Sequence, residues 1–237
     1  MNLLAFESSA KAASAALLSD GCLLAEYTQN SGQTHSRTLM ELAKNMITGC
    51  DLTPQDIDAV AVAAGPGSFT GVRIGMACAK GFAWGHQLPL YGVSTLEAMV
   101  RRAACADGCY CACMDARKGQ IYNALFDWTA GTLLRRTEDR AIAISELSQE
   151  LQTISGPVYL IGDGAKLVFD TLKDENLPLQ LLPEHLRQQR ASGVALAAME
   201  KIAANETGDA AALTPNYLRQ AQAERTRQHD KDFYLKK

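Results

Sequence analysis

One stretch constrains the fold more than any other: Ala63-Ala64-Gly65-Pro66-Gly67-Ser68-Phe69-Thr70-Gly71-Val72-Arg73-Ile74-Gly75-Met76. It follows the apolar run Ile57 to Ala64, which reads as a buried strand. A glycine-bent loop comes next, then a helix expected to stop at Gly85, a residue suited to a left-handed end. Strand, glycine loop and helix N-terminus in that order gather backbone N–H groups at the positive end of a helix, which is anion-binding geometry. Ser68 or Thr70 can cap the orphan amides. The same spacing also describes a tight strand-to-helix turn with no ligand, because Gly-Pro-Gly is common in turns.

Within that helix Gly71, Gly75 and Ala79 recur every four residues. Each helical glycine costs about 1 kcal/mol relative to alanine, so two on one face call for close approach by another backbone. That backbone is either the chain's own sheet or a helix of a second chain. Val72, Ile74, Met76, Cys78, Phe82 and Trp84 make the helix apolar nearly all round, which predicts burial on more than one side. An earlier helix, Thr34 to Gly49, carries Leu39, Leu42, Ala43, Met46 and Ile47 at the spacing of one amphipathic stripe, with Met40 off it. Thr34 or Ser36 can cap it.

The remaining segments repeat an order. Residues 2–7, 12–18 and 22–27 read as three strands, the last two joined by a hairpin turn at Ser19-Asp20-Gly21. The strand before the opening loop, its helix, a strand at 89–93 and a helix boxed by Ser94 and Glu97 follow. Cys109–Met114, Gln120–Asp127 and Thr132–Glu138 form a second three-strand meander. A helix from Ser145, a strand ending in Gly162-Asp163-Gly164, a helix at 165–172, an extended run at 178–183 and an alanine-rich helix at 191–205 come after it. Thr214-Pro215 is expected to open a last short helix. The chain therefore reads as α/β, divided into lobes at 1–104 and 105–237.

Several functions are set aside by what is missing. With 237 residues and 47% hydrophobic content a globular core is expected, and no apolar run approaches a membrane span. The first residues meet Glu7 without a basic start, so they are not read as a signal peptide, and the expected location is the cytosol. A net charge of −3 argues against gripping RNA phosphates alone. Seven cysteines without a secretory signal do not suggest a disulfide framework. Cys109, Cys111 and Cys113 share one strand face but do not converge on one ion, so they are read as small buried residues. His35, His86, His185 and His229 are scattered, and neither a nucleophile triad nor a Walker A or GxGxxG pattern is present. The corner Asp115-Ala116-Arg117-Lys118-Gly119-Gln120 suits a phosphate or an ordinary charged turn equally. From Arg219 onward six Lys/Arg face three Asp/Glu, either a solvated tail or a basic arm.

Leu4-Ala5-Phe6-Glu7-Ser8-Ser9, Gly65 to Gly75, Met114-Asp115-Ala116-Arg117-Lys118 and Pro215-Asn216-Tyr217-Leu218-Arg219 resemble the bacterial TsaB (YeaZ) family. The resemblance implies a two-lobed actin-like fold (ASKHA, ribonuclease H-like), each lobe a mixed sheet with a three-strand meander and flanking helices. It implies a non-catalytic partner of the paralogue TsaD, working with TsaE to form N6-threonylcarbamoyladenosine in tRNAs that read codons starting with adenine. Thr95 and Met99 stand where TsaD carries metal-binding histidines, and neither suits a hard or borderline ion. Asp115 replaces a glycine-rich phosphate corner, and Gly162-Asp163-Gly164 looks like a remnant of the adenosine-side loop. The expectation is no catalytic residue, no metal and no cofactor of its own. Gly65, Gly67 and Ser68 would be a remnant phosphate loop, and ATP would bind, if at all, within the partner complex.

The TsaD contact implied by the resemblance uses Ser36, Leu39, Met40, Ala43, Met46 and Ile47 of the first helix with Gly71, Ile74, Gly75, Cys78 and Phe82 of the second. The same surface would pair with itself as a homodimer when the chain is alone. tRNA would be met only through the complex, and no membrane is involved. The competing expectation is an ATPase, carbamoyltransferase or peptidase in its own right.

Overall fold

Asp20 and Gly21 both take positive φ, 48° and 79°, the two-residue turn whose twist matches a hairpin. It joins β2 (Ala13–Ser19) to β3 (Cys22–Gln29), and β1 (Asn2–Glu7) pairs antiparallel with β2. In this computed structural model, which describes residues 1–219, α1 (His35–Gly49) follows, then β4 (Ala59–Gly65) and α2 (Phe69–His86). Next come β5 (Leu90–Ser94) and α3 (Thr95–Ala103). β4 and β5 run parallel to β1, giving the sheet order β3-β2-β1-β4-β5.

The scheme then repeats. β6 (Gly108–Asp115), β7 (Gln120–Thr129) and β8 (Thr132–Arg135) form the second meander, and the short β9 (Arg140–Ala143) also pairs with β7. α4 (Ile144–Leu151), β10 (Val158–Ile161), α5 (Ala165–Leu172) and β11 (Leu179–Leu181) follow. The second sheet reads β11-β10-β6-β7-β8, with β10 and β11 parallel to β6. Strand for strand this is the first sheet's order. α6 (Glu184–Arg187) and α7 (Ala191–Ala203) close the described helices.

Alternation along β1 sorts the core. Leu4 and Phe6 face α1 and α2, whereas Leu3 and Ala5 face α7. α3 lays Leu96, Met99 and Val100 on the second sheet against Tyr110 and Phe126, and α4 and α5 cover that sheet's far face. The layers are therefore helices, sheet, helices, sheet, helices. One consequence departs from the lobe division at 104: α7, late in the chain, packs on the first sheet through Ala191, Val194, Ala195 and Ala198.

Three expectations at element ends differ from the structure. The strand expected to reach Glu138 stops at Arg135. α2 stops not at Gly85 but at Gln87, which takes the left-handed conformation (φ 57°) and donates its N–H to Ala83 and Trp84 carbonyls. The stretch opened by Thr214-Pro215 is not a helix. It is a strap laid across the first sheet's end, because its polar groups find partners there instead. Asn216 N–H donates to Ala64 O at 2.7 Å, and Leu213 fills the hollow above Gly92. Tyr217 stacks on Phe69 (4.7 Å between centroids) and accepts a hydrogen bond from Arg73 Nε at 2.7 Å. Arg219 then reaches the Ala116 carbonyl of the second sheet. The rest of the basic tail lies outside the described residues.

Candidate functional site

The parallel strands β1, β4 and β5 end together, and β6 and β10 end opposite them. A ligand site in such a sheet lies beyond those carboxyl ends. The first thing found there is the opening loop, closed by the chain itself. Ser68 Oγ caps α2 by accepting from Gly71 N–H at 3.2 Å, and Ser68 N–H donates to Ser9 O at 2.7 Å. A Cβ on Gly67 would meet Ser9 O at 2.6 Å. The Ser68 amide is thus taken by β1's exit, Gly67 lies against Ser9, and Asn216 lies over Gly65.

The glycine face of α2 has the same explanation. A Cβ on Gly71 would land on the Ser8 carbonyl oxygen, and one on Gly75 would come 2.5 Å from Ser8 Oγ. Ser8 Oγ in turn donates to Gly71 O at 2.9 Å. The approaching backbone is the chain's own. This corrects the assignment of Gly71 and Gly75 to a partner contact: their space is already taken. Leu39, Ala43, Met46, Ile47 and Phe82 are likewise buried in the core beneath α1 and α2, where a partner cannot touch them without unfolding the lobe. Ile74 and Cys78 are half-buried, whereas Ser36 and Met40 remain exposed.

A different run is free. Ala77, Gly81 and Gly85 face outward on α2 beside Trp84, which is 71% exposed, and nothing lies within 4 Å of a Cβ on Gly81 or Gly85. α1 packs alongside α2 and adds Met40, 38% exposed. Sequence periodicity picked the inward stripe because two small-residue stripes lie on one helix, and spacing alone does not say which faces the sheet.

Near the loop several polar side chains are buried. Glu7, at the end of β1, is 1% exposed. Its Oε1 accepts from Ser9 N–H at 2.5 Å, but its Oε2 has no partner. Burial, aided by the nearby Asp163 charge, pushes its carboxyl up to about 7. Thr95 opens α3, and its buried Oγ1 also lacks a partner. Gln189 leads into α7; its Nε2 donates to Asp163 Oδ1 at 3.0 Å, while its buried Oε1 has none. α3 and α7 run side by side, since Gly193 leaves room for Ala98 O and Arg101 pairs with Glu200 at 3.1 Å. Met99 Cε lies 3.3 Å from where a Cβ on Gly162 would stand. Met99 thus lies against Gly162, next to the Asp163 that Gln189 holds. Gln189 carried no sequence motif and was missed; only the packing of α7 on α3 brings it here.

The Thr95 hydroxyl and the Met99 thioether are poor ligands for a hard or borderline divalent ion. Among the described residues, no group of three or more His, Cys, Asp or Glu side chains could hold a metal ion. Cys111 and Cys113 lie 3.4 Å apart, sulfur to sulfur, inside the second core; the Cys113 thiol and burial push Cys111 well up, which keeps it from forming a thiolate. Asp115 Oδ1 is held by Arg117 N–H at 2.7 Å, so the second lobe's corner presents a fixed carboxylate.

Glu7 also sets a pH dependence. Its folded value lies above the ordinary carboxyl value of 4.5, so the folded chain holds the proton longer than the unfolded chain. Stability should then fall as pH rises from about 4.5 through about 7, by an amount on the order of 3 kcal/mol. Glu7→Gln should flatten that fall and be more stable than the parent at pH 8 in urea melts. Parallel pH profiles for the two proteins would refute it.

Comparison with known proteins adds four observations. The family model described as "TsaD: tRNA N6-adenosine threonylcarbamoyltransferase" matches residues 23–227. The chain is 33% identical over 228 residues to the Bacillus subtilis (strain 168) tRNA threonylcarbamoyladenosine biosynthesis protein TsaB, covering 94% of this chain and 96% of that one. It is 33% identical over 183 residues to the protein of the same description from Escherichia coli (strain K12), covering 76% and 79%. Among solved structures, YeaZ from Pseudomonas aeruginosa superposes with a TM-score of 0.76 at 23% identity, over 92% of this chain and 99% of that one. The shared architecture is the two-lobed actin-like fold.

Proposed function

This chain belongs to the bacterial TsaB family and takes part in tRNA threonylcarbamoyladenosine biosynthesis; from that premise we propose that it is a non-catalytic subunit which docks a TsaD-type transferase through the outward face of α1 and α2. The observation that carries the proposal is the open run Ala77, Gly81 and Gly85 beside Trp84. Small residues let a second helix come close, and an exposed tryptophan supplies an anchor. Glycine in an exposed helix interior costs about 1 kcal/mol, so two of them facing solvent have no use within the chain. The lack of metal-suited side chains at Thr95 and Met99, with the Ser68 amide taken by Ser9 O, supports an accessory rather than a catalytic role.

In this reading the chain works with TsaE on tRNAs that read codons starting with adenine, and meets tRNA only within the complex. It holds no nucleotide by itself; ATP belongs to the assembled complex. The same face closes a homodimer when the transferase is absent. Among the described residues no helix is long and apolar enough to cross a membrane, and the proposed location is the cytoplasm.

The test is Gly81→Phe. Because a Cβ at Gly81 meets nothing within 4 Å, the variant should melt like the parent. Its affinity for the transferase should fall at least about tenfold, a loss of about 1.4 kcal/mol. Unchanged complex formation on gel filtration would remove the proposed face. Magnesium-dependent ATP turnover by the isolated chain would favour the enzyme reading instead.

A further inference from the structure

α1 and α2 carry four Lys/Arg and one carboxylate: Arg37, Lys44, Arg73 and Lys80 against Glu41. The whole chain has a net charge of −3, so this excess of cations is local. Burial places it on the outside. Arg37, Glu41 and Lys44 are exposed at i, i+4 and i+7 of α1, opposite the stripe that enters the core. On α2, Arg73, Ala77 and Trp84 are exposed and Lys80 is half-buried. Their spacing of i, i+4, i+7 and i+11 puts them on the outward face beside Gly81. Among the described residues, none of the five charged side chains has an ion-pair partner.

Arg73 differs from the other cations in being held. Its guanidinium lies 3.8 Å from the centre of the Phe69 ring and 5.5 Å from that of Tyr217. Its Nε donates to the Tyr217 hydroxyl at 2.7 Å. Tyr217 is fixed in turn by the strap, whose Asn216 N–H donates to Ala64 O. These contacts use the plane of the guanidinium and Nε. The two terminal nitrogens make no hydrogen bond to a described residue. A planar fork with one edge open matches a carboxylate bidentately. A loose surface arginine loses rotamer freedom when it pairs, whereas this one is already oriented.

A second copy of the chain brings the wrong charge to this face. A two-fold pairing sets the same patch against itself. Four cations then meet four cations, with one carboxylate offered from each side. Like charges face to face cost affinity, whereas carboxylates opposite the same row add to it. The small residues Ala77 and Gly81 let either helix approach, so charge separates the two partners.

We infer that the outward face of α1 and α2 selects an acidic helical partner over a second copy of this chain, with Arg73 as the seat of a partner carboxylate. The strap shares in that choice, because Tyr217 orients Arg73. The inference rests on the docking face proposed above and adds the charge of what docks there.

The test follows two associations of the full chain as sodium chloride rises from about 50 to about 500 mM, a range over which exposed charges become screened. Sedimentation of the chain alone reads the homodimer, and titration with the TsaD-type transferase of the same organism reads the complex. The complex should loosen at least about tenfold, while the homodimer should stay unchanged or tighten. At low salt Arg73→Glu should weaken the complex at least about tenfold and tighten the homodimer at least about fivefold, because its carboxylate meets the other copy's cations. Arg73→Lys, which keeps the charge without the fork, should fall between parent and Arg73→Glu. Circular dichroism melts check that each variant is folded; should Arg73→Glu not fold, the salt series on the parent decides alone. Gly81→Phe, run beside them, separates the two readings. If it abolishes the complex while salt and Arg73→Glu leave the complex unchanged, the face stands and the charge inference falls. If it binds like the parent, the docking face itself falls. A homodimer that loosens with salt as much as the complex does would overturn the selection. Binding of an unrelated RNA hairpin that Arg73→Glu abolishes, at unchanged transferase affinity, would overturn it in favour of nucleic acid.

Discussion

Gly71→Leu should leave no folded chain to purify. The Cβ alone would occupy the position of the Ser8 carbonyl oxygen, which belongs to backbone at the exit of β1 and cannot swing aside. Ser8 is fixed from both directions: its hydroxyl donates to Gly71 O, and the next residue's carbonyl accepts from Ser68 N–H. Making room means pulling α2 away from β1 and β4, which opens the core around Leu4, Phe6, Val62 and Met76. A loss above about 5 kcal/mol is comparable with the whole stability of a domain. Gly75→Leu should be severe as well, since Ser8 Oγ and Val62 stand against it. The control is Gly81→Leu on the outer face, which should fold and melt at or above the parent temperature because leucine is the better helix former. Soluble Gly71→Leu with a parental melting temperature would show that the Ser8 contact is not what the glycine serves.

Ending the chain after Glu206 should lower the melting temperature by about 10 °C, with the fold retained. The segment removed buries Ala210, seats Leu213 in the hollow above Gly92 and closes the Ala64 carbonyl with the Asn216 amide. It also removes Tyr217 from Phe69 and Arg73, where the guanidinium sits 3.8 Å above the phenylalanine ring. One leucine side chain contributes about 2 kcal/mol by burial. The hydrogen bonds and stacked rings contribute about 1 kcal/mol each. At roughly 2–4 °C per kcal/mol for a chain this long, the shift follows. Tyr217→Ala alone should account for a minor part, since the ring is half open to solvent. A truncated chain that melts with the parent would mean that the strap only rests on the first sheet.

Much of the architecture was legible before any coordinate. Alternation in β1 and β2, the Asp20-Gly21 turn and the stripe on α1 report local preference and face, and both are properties of neighbouring residues. The duplicated order of elements was visible for the same reason, although no residue-level repeat accompanies it. The Gly65–Met76 stretch was read correctly as strand, loop and helix N-terminus.

The tertiary structure decided what those pieces touch. Periodicity showed that α2 has a glycine face needing a close backbone, but only packing identified that backbone as Ser8 and left Ala77, Gly81 and Gly85 exposed. The phosphate loop kept its glycines while Ser9 took its amide, a contact between residues 59 positions apart in the chain. Thr214-Pro215 has a good helix-start pattern, yet the sheet end offered Ala64 O and Phe69, and long-range partners outweighed a weak local propensity. Gln189 meets Asp163 only because the chain returns to lay α7 against α3 and the first sheet. Local pattern thus determined the elements and their buried faces, because those depend on nearest neighbours. Which surface serves the core, which is left open and where a buried charge lacks a partner depend on contacts across the whole chain, which sequence spacing does not encode.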